Sequence, residues 1–568
     1  MARHTVWIMF FASAFLPIPG IRAQDPLGEM RALIKAQGDK LDRQEKILEE
    51  QERLIRQQKD WLERQSAGDQ NRPPASGATG ENGRSGPSQE ISEAAFASDK
   101  SGPQQGGLER RDHPLTAYWG RDGRLIFRSE DRKFQAHIGA FFQFDYATYA
   151  VPSSVQESLQ TLATGDRGLL SGTDFRRMRL RSDGLCWECV EWVAEMDFSR
   201  AADVAKDEIT DPVSNVYLNN VYIGIRDVPV LGTFRIGHIK EELSFYCASS
   251  GRNFPFMERP LVWYAIEDPY IFDNGITLNR NFLDDAVYLW MGLFQTNTRT
   301  GAFTVSPTGA MAYDIRTCLM PILDEENQRW MCLGFSGSVR GNPYIRGIEL
   351  PGSAVTVQPL LRAGTSQQVP ALVNSGRFYT NDGTQIVSLN YNQSWGPLSL
   401  GAMYDGQWFN NSYINGLPRS DGSLPSKVKS VGDLYFDGFS VEALYFLTPG
   451  DHRTLNPKFP AYGQVLPARN FRVLRGGDES SAPGIGAWEV TTKFDFYRGQ
   501  FQVPDGTSQG KTRGGNLNAI TLGLNWFLNP NASMMMNYVY TTGLMGKNDP
   551  GPRDGAFHSF GTRFQFTF

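Results

Sequence analysis

Long hydrophobic runs are missing from this 568-residue chain, apart from one short apolar stretch close to its first residue. After Ala23 no run reaches the roughly 18 consecutive apolar residues that a membrane-spanning helix needs, so the sequence predicts no such helix. Hydrophobic residues nevertheless make up 40% of the chain and aromatic residues 12%, with a mean hydropathy of -0.38. Apolar side chains are therefore numerous but dispersed, as expected where each strand has one apolar and one polar face.

A strong excess of either charge is also missing, since 56 Lys and Arg residues stand against 61 Asp and Glu residues. The net charge of -5 is small for this length and gives no reason to expect a nucleic-acid partner. The six histidines include no pair at metal-ligand spacing, and no G-x-S-x-G, H-E-x-x-H or P-loop motif occurs. The sequence therefore predicts neither an enzyme nor a metal or cofactor site.

Cysteine is scarce and odd in number, because the chain contains only five. Complete pairing within one chain is therefore excluded. Cys186 and Cys189 form a C-x-x-C inside a predicted hairpin rather than before a helix, so they do not predict thioredoxin-like redox activity. Cys318 and Cys332 flank an acidic turn nearly symmetrically. We predict a structural disulfide between them, if their Cβ atoms come within about 4 Å of each other.

Residues 1–23 have the features of a signal peptide. A basic start at Arg3 is followed by an apolar stretch from Val6 to about Leu16 and by a small residue at Ala23. No cysteine lies near this cleavage position, which argues against a bacterial lipid anchor. The chain is therefore predicted to be exported and, without a helical anchor, to be either soluble or a barrel.

A strict heptad follows within residues 24–65. Its apolar positions are seven residues apart: Leu27, Ile34, Leu41, Leu48, Ile55 and Leu62. Glutamines repeat on the same period and make the seam partly polar, which lowers stability but can fix register and strand number. The pattern predicts an oligomeric coiled coil about 50 Å long, with a single solvated helix as the alternative. Residues 66–112 are rich in Gly, Ser, Pro and charge, which predicts a flexible linker.

From residue 113 to residue 568 the apolar period becomes two. Between Ile520 and Trp526, for example, apolar residues alternate with polar residues and glycine. A short turn at Asn529–Asn531 contrasts with long Gly- and Pro-rich stretches elsewhere. Short turns at one end and long loops at the other predict an all-β, transmembrane antiparallel β-barrel.

The last strand is the most specific single signal. One face carries Phe560, Phe564, Phe566 and Phe568, and the other carries Gly561, Arg563, Gln565 and Thr567. A strand that ends on an aromatic residue resembles the signal read by the outer-membrane barrel assembly machinery. A soluble β-sandwich is the alternative, but it leaves this aromatic pattern unexplained.

Several barrel segments together resemble the phosphate-selective porin O and P family: Thr173–Leu180, Glu195–Phe198, Arg235–Glu241, Gly523–Phe527 and Asn537–Tyr540. Their order and spacing extend over about 450 residues. The resemblance implies an outer-membrane porin, a homotrimeric barrel of about 16 strands with both termini in the periplasm and a long third loop folded inward. The coiled coil would then lie in the periplasm, where peptidoglycan is a candidate partner.

A column of arginines marks the candidate pore wall. Arg177, Arg179 and Arg181 share one face of a predicted strand with Phe175, whereas Arg176 lies on the other face. A guanidinium group facing lipid costs about 2–4 kcal/mol near the bilayer midplane, so we expect the first three side chains in the lumen and Arg176 close to an interface. Because guanidinium groups offer paired donors to phosphate or carboxylate oxygens, the pattern predicts an anion-binding wall.

Cross-strand ion pairs are the alternative role for these arginines. If the hairpin turns near Cys186, Arg181 lies opposite Glu191 and Arg177 lies opposite Glu195, which would brace the wall. The sequence favours neither role over the other, and opposed rows of charge can serve both.

The next hairpin extends the basic surface. Strand parity places Asn220, Tyr222, Arg226 and Arg235 in the lumen, with the neighbouring Val and Ile residues facing lipid. Lys240 lies where the family has a basic residue leading into the constriction loop. Arg235 and Lys240 therefore join the predicted pore-lining set.

The constriction loop is expected at about residues 244–276. It adds Arg252 and Arg259 to the predicted anion-binding set, but it contains four carboxylates and no lysine. Its aromatic residues are expected to pack against the wall. Because the lysine cluster of a strict phosphate filter is missing, we predict a broader channel for small hydrophilic solutes, with a preference for anions. A barrel-anchored protein that organises the envelope or mediates adhesion is the alternative.

Overall fold

A computed structural model of the chain describes residues 115–120, 123–160, 167–199, 216–296, 310–341, 353–364, 368–418, 422–472, 484–504, 511–546 and 553–568. The chain divides into two units at Gly107, and every described residue lies in the second, Leu108–Phe568. The predicted signal peptide, coiled coil and linker lie outside the described residues, so the fold below is that of the second unit.

Sixteen long antiparallel strands dominate the described residues, because apolar and polar side chains alternate along each of them. In chain order they are β1 (Phe134–Ala150), β2 (Gly172–Cys186), β3 (Val190–Asp197), β4 (Tyr217–Val228), β5 (Gly232–Lys240), β6 (Phe272–Phe282), β7 (Val287–Gln295), β8 (Met311–Asp324), β9 (Arg329–Arg340), β10 (Thr384–Trp395), β11 (Leu398–Ile414), β12 (Lys429–Phe446), β13 (Ala487–Arg498), β14 (Asn516–Phe527), β15 (Ala532–Met545) and β16 (Arg553–Thr567).

The sheet closes because β16 pairs with β1, with Arg563 opposite Asp145 and Phe566 opposite Phe142. Each of the other fourteen strands pairs with its two neighbours along the chain. Closure satisfies the backbone polar groups of the strands without water, as a membrane requires. The antiparallel barrel of 16 strands that the resemblance implied is confirmed.

Seven shorter strands flank the barrel. They are Leu115–Trp119, Leu125–Ser129, Thr356–Val357, Val373–Asn374, Tyr379–Thr380, Phe501–Val503 and Lys511–Arg513. The first two form a hairpin whose second strand pairs with the beginning of β1. The others lie in the loops and extend neighbouring strands or pair with one another.

Side chains on the barrel strands alternate between an apolar outer face and a polar inner face. On β16, Phe560 and Phe564 are 41% and 56% exposed on the outside, whereas Arg563 is fully buried inside. On the hairpin of β4 and β5, Ile223 is 60% exposed outside, and Arg235 faces inward. The two-residue period predicted for these strands is therefore confirmed.

The two ends of the barrel differ in the length of their connections. At one end, tight turns such as residues 187–189 and 396–397 join neighbouring strands, and at the other end long loops such as residues 241–271 join them. The connection between β12 and β13, residues 447–486, is exceptional because it is long although it lies at the short-turn end.

The α-helices in the described residues are short. They are α1 (Ser153–Leu159) in the first long loop, then α2 (Phe245–Ala248) and α3 (Leu261–Ile266) in the third, which continues into a 3-10 helix at Asp268–Tyr270. No helix in the described part of the chain is long and apolar enough to cross a membrane.

The third long loop, residues 241–271, folds into the barrel and forms the constriction loop. Its predicted bounds of 244–276 need correction at the far end, because Phe272 to Ile276 pair with Lys240 to Ile236 and belong to β6. Six of its aromatic side chains are no more than 5% exposed, which confirms that they pack: Phe245, Tyr246, Phe254, Phe256, Trp263 and Tyr264.

The predicted disulfide between Cys318 and Cys332 is not formed, and both residues are buried free cysteines. Cys318 lies opposite Gly334, two residues from Cys332, because the turn at residues 325–328 is centred beyond the midpoint between the two cysteines. The two cysteines are therefore diagonal rather than directly opposed. Their nearly symmetric placement around the acidic segment did not fix the exact position of the turn, and that position sets the register.

The outer face gives a first test of the barrel's position in lipid. Leu522 lies outward at the middle of β14 and is 51% exposed, so Leu522→Arg should lower the free energy of unfolding by about 2–4 kcal/mol. Leu283, 77% exposed in a short turn, is the matched control, and Leu283→Arg should cost about 0–1 kcal/mol because it lies near the interface. Urea titration of the barrel in lipid vesicles measures both, and equal costs would contradict the proposed position.

Candidate functional site

The lumen is filled in its middle by two loops that touch each other. The loop between β9 and β10 enters the barrel, and the Tyr149 hydroxyl of β1 donates to the Leu361 carbonyl at 2.7 Å. The next residue, Arg362, places its guanidinium 3.7 Å from Glu258 of the constriction loop. Any open passage must therefore run beside these loops rather than through the centre.

A β-bulge on β2 re-aims one arginine. Gln143 pairs with Arg177 and Phe144 pairs with Phe175, so Arg176 is the extra residue. Phe175 consequently faces outward, 46% exposed, and Arg176 faces the lumen, where its Nε lies 2.6 Å from Glu258 Oε1. The predicted placement was wrong for both residues, because strand parity does not continue across a bulge.

Glu258 anchors the constriction loop to the wall. Its carboxylate lies 2.6 Å from Arg176 and 3.1 Å from Arg563, and it also accepts the Tyr264 hydroxyl. Arg563 in turn binds Asp145 at 2.6 Å. Burial alone would raise the pKa of Glu258, but the neighbouring arginines outweigh burial and hold this pKa well below its usual range.

Carboxylates brace two arginines of the predicted column and one arginine of the next hairpin. Arg179 lies 2.7 Å from Asp197 and 3.2 Å from Glu195, and Arg181 lies 2.7 Å from Asp183. The corresponding partner of Arg235 is Glu191, at 2.6 Å.

The predicted register of this hairpin was wrong, since Arg181 faces Glu195 and Arg179 faces Asp197. The tight turn occupies residues 187–189 rather than Cys186, with Trp187 in a left-handed conformation, and this displaces every pair. Bracing nevertheless exists, with different partners from those predicted.

The other four predicted cations form no ion pair within the part of the chain that the structure describes. Arg177 donates to the Gln143 side chain at 2.6 Å, and Lys240 donates to the Ser249 carbonyl at 3.0 Å. Arg259 stacks over Trp263, 4.1 Å from the ring centre.

Arg252, the fourth of these cations, lies over the Phe141 ring. Burial lowers its pKa to about 10, so it keeps its charge at neutral pH. The wall therefore carries positive charge that no carboxylate cancels by contact.

Two neighbouring cavities lie beside these cations. One has a volume of about 230 Å³ and is lined among others by Arg181, Arg235, Lys240 and Arg252. The other has a volume of about 150 Å³ and is lined among others by Arg176, Arg177, Arg362 and Asp268. Both are lined by Arg179, Arg259, Ile271 and Phe272. The larger cavity is nearer the short-turn end, because Arg181 follows Arg177 toward the turn at 187–189.

All seven predicted cations line one or both cavities: Arg177, Arg179, Arg181, Arg235, Lys240, Arg252 and Arg259. Arg176 and Arg362 also line the site, and neither their place there nor the role of Glu258 could be predicted from the sequence. The bulge on β2 turns Arg176 into the lumen against strand parity. Arg362 reaches the site because a loop distant in the sequence folds inward. No local sequence signal reports either event.

A closed barrel with an apolar outer face, an inward-folded loop and charged cavities beside that loop defines a porin-type channel. Residues 155–568 match the family described as phosphate-selective porin O and P, and the chain belongs to this family. It is therefore an outer-membrane porin for passive diffusion of small hydrophilic solutes.

Solved structures also resemble the chain at low identity. An anion-selective porin from Comamonas acidovorans is 10% identical with a TM-score of 0.40, covering 77% of this chain and 100% of that one. The outer membrane channel DcaP of Acinetobacter baumannii is 11% identical with a TM-score of 0.39, covering 78% and 99%. A loop-deletion mutant of OmpT, an outer membrane protein of Vibrio cholerae, is 7% identical with a TM-score of 0.41, covering 77% and 100%. No curated protein sequence matches the chain significantly.

The anchoring role of Glu258 predicts a large effect of removing its charge. Glu258→Gln keeps the side-chain shape but leaves buried arginines without their shared carboxylate, so the free energy of unfolding should fall by about 3–5 kcal/mol. Urea titration in lipid vesicles at pH 7 measures this change. Because the folded-state pKa is depressed, the wild-type advantage should be present above the ordinary carboxyl pKa of about 4.3 and be lost as the pH falls through the depressed value.

Glu326→Gln is the matched control for this prediction, because Glu326 is exposed in a short turn. It should change the free energy of unfolding by less than about 0.5 kcal/mol. An effect of Glu258→Gln no larger than that of the control would show that the loop is held by other contacts.

Proposed function

We propose that this porin conducts small anions in preference to cations along one basic wall of the lumen. The observation that carries the proposal is a group of four basic side chains that have no carboxylate partner among the described residues: Arg177, Lys240, Arg252 and Arg259. Lys240 and Arg252 line the larger cavity, Arg177 lines the smaller one, and Arg259 lines both. In surroundings of low dielectric constant, unpaired positive charge attracts anions and repels cations more strongly than it does in water.

The braced arginines have a different role in this proposal. Arg179, Arg181 and Arg235 are held by carboxylates, which fixes the shape of the wall but cancels much of its charge. Bracing and anion conduction therefore belong to different members of the same basic surface. The proposal therefore keeps both of the roles that the sequence left open.

The same surface argues against exclusive selection of phosphate. Glu195 and Glu242 line the larger cavity together with its cations, so a multiply charged anion would also meet negative charge there. Conduction requires binding that is favourable enough to enter but weak enough to leave. We infer a substrate class of small anions in general, with phosphate as one member.

Charge removal at the wall tests this proposal. Arg252→Gln and Arg259→Gln should each lower the anion-to-cation permeability ratio about two- to fivefold, corresponding to roughly 0.5–1 kcal/mol of lost electrostatic attraction. The reversal potential in a potassium chloride gradient across a planar bilayer measures the ratio.

Arg329→Gln makes the same charge change at an exposed position on the outward face of β9, at its short-turn end. It should leave the permeability ratio unchanged. Cation preference in the wild type, or equal shifts in all three variants, would contradict conduction along the basic wall.

We further propose that the porin is a homotrimer and that residues 24–65 form a periplasmic coiled coil with the same symmetry. The heptad supports this proposal, because its regular apolar seam needs partner helices. Peptidoglycan is the partner proposed for a helix of this kind in the periplasm, and binding of the full chain to isolated cell-wall sacculi tests that contact.

The seam itself can be tested in the full chain. The double change Leu41→Lys and Leu48→Lys places charge in the seam, so chemical cross-linking should recover fewer trimers while the heat-modifiable migration of the folded barrel stays unchanged. Asp42→Lys and Glu49→Lys place the same residue type just outside the seam and should leave the trimer yield unchanged. An equal yield in both variants would refute a role of the coil in assembly.

A further inference from the structure

The long connection between β12 and β13 re-enters the barrel from the short-turn end. Its residues 454–463 form a small hairpin, in which Leu455 and Tyr462 are bridged. Gly463 N–H donates to the Thr454 carbonyl at 2.8 Å, which closes the hairpin at its base. We call residues 454–463 the lumen hairpin.

The base of the lumen hairpin is fixed to the wall by a buried ion pair. Arg453, immediately before it, is fully buried and donates to both carboxylate oxygens of Glu489 on β13, at 2.7 and 2.5 Å. The Arg453 carbonyl accepts the Trp330 indole N–H of β9 at 2.8 Å. A paired guanidinium and carboxylate of this geometry hold their elements firmly.

The lumen hairpin also supports the constriction loop from below. Tyr462 is the contact residue, because its backbone N–H donates to the Ser249 hydroxyl at 3.0 Å and its carbonyl accepts the Asn253 amide at 2.9 Å. Its ring packs edge-on against Phe245, with the ring centres 4.8 Å apart. The Tyr462 hydroxyl donates to Glu442 of β12 at 2.5 Å.

The tip of the lumen hairpin reaches the strands across the lumen. Asn281 of β6 donates to the Pro457 carbonyl at 2.9 Å, and Arg316 of β8 donates to the Pro460 carbonyl at 2.5 Å. Phe459 lies against Tyr288 of β7 and lines the larger cavity beside the basic wall. The hairpin therefore extends from β12 and β13 to β6 and β7, and its tip ends at the edge of the conducting space.

From these contacts we propose that the lumen hairpin is a second constriction of the pore and a determinant of its selectivity. It occupies the lumen beneath the constriction loop and confines solutes to the passage beside β2–β5. Phe459 forms part of the edge of that passage. The proposal rests on the anion-conducting function proposed above, because it states which part of the lumen the anions are kept out of.

Removing the lumen hairpin would expose negative charge in the space that it occupies. Without the lumen hairpin, Glu442 would keep Tyr246 but lose Tyr462 and face water, whereas Glu489 and Glu242 would remain paired with Arg453 and Arg316. The opened route would therefore carry one uncompensated carboxylate. It should pass cations more readily than the basic wall does.

The test replaces Leu455–Tyr462 by an Asn-Gly turn in the full chain. Thr454 and Gly463 are already hydrogen-bonded partners, and a two-residue Asn-Gly connection suits such a pair. Single-channel conductance in planar bilayers should rise about twofold or more, and the anion-to-cation permeability ratio should fall. Conductance and selectivity equal to those of the wild type would overturn the proposal.

A second variant keeps the proposal testable if the shortened chain does not fold. Phe459→Ala trims only the side chain at the edge of the larger cavity and leaves the hairpin backbone and Tyr462 in place. It should raise conductance by a smaller amount than the replacement does. A conductance equal to that of the wild type in this folded variant would overturn the role of the hairpin tip.

Lys458→Ala is the matched control on the same hairpin, because Lys458 is 76% exposed and its ion pair is with Asp285 at the rim. Its conductance should equal that of the wild type, and a rise as large as that of Phe459→Ala would overturn the assignment to the hairpin tip. The outcomes also separate the two proposals. A cation-preferring wild type would refute the anion proposal, whereas an anion-preferring wild type unaffected by hairpin replacement would refute only the second constriction.

Discussion

The structure depends on neutralising the charges that an inward-folded loop brings into a closed barrel. Glu258 meets this constraint through Arg176, Arg362 and Arg563, which come from the wall, a second loop and the last strand. A buried carboxylate without partners would be costly, and so would each arginine without it. One contact network therefore joins the barrel closure, the constriction loop and the loop above it.

This packing makes the pore eccentric. The constriction loop contacts β12 and β13 through Tyr246 and Leu261, which bind Glu442 and Asp495, and the lumen hairpin occupies the space below it. The two cavities beside the basic wall lie next to β2–β5, where the lining cations outnumber the lining carboxylates. The position of the constriction loop and the lumen hairpin, together with the charge of the wall beside them, accounts for the proposed anion preference. Neither would be sufficient alone.

Much of the barrel could be predicted from local pattern, because a period of two reports which side of a strand faces lipid. Arg177, Arg179, Arg181 and Arg235 were placed in the lumen on that basis, and the structure has them there. Strand parity gave the wrong face where the period is interrupted, as at the bulge that turns Arg176 inward. The cross-strand partners could not be predicted either, because the turn after Cys186 lies a few residues from its expected position.

The sequence by itself determined the closed barrel, its outward aromatic face and the wall that carries the cations, because each follows from alternation within single strands. Only the tertiary structure decided which cations are neutralised. Whether Arg179 is braced and Arg252 left unpaired depends on register and on inward-folding segments distant in the chain. The lumen hairpin belongs to the second category, since the residues that receive Arg453 and Tyr462 come from separate strands and from the constriction loop.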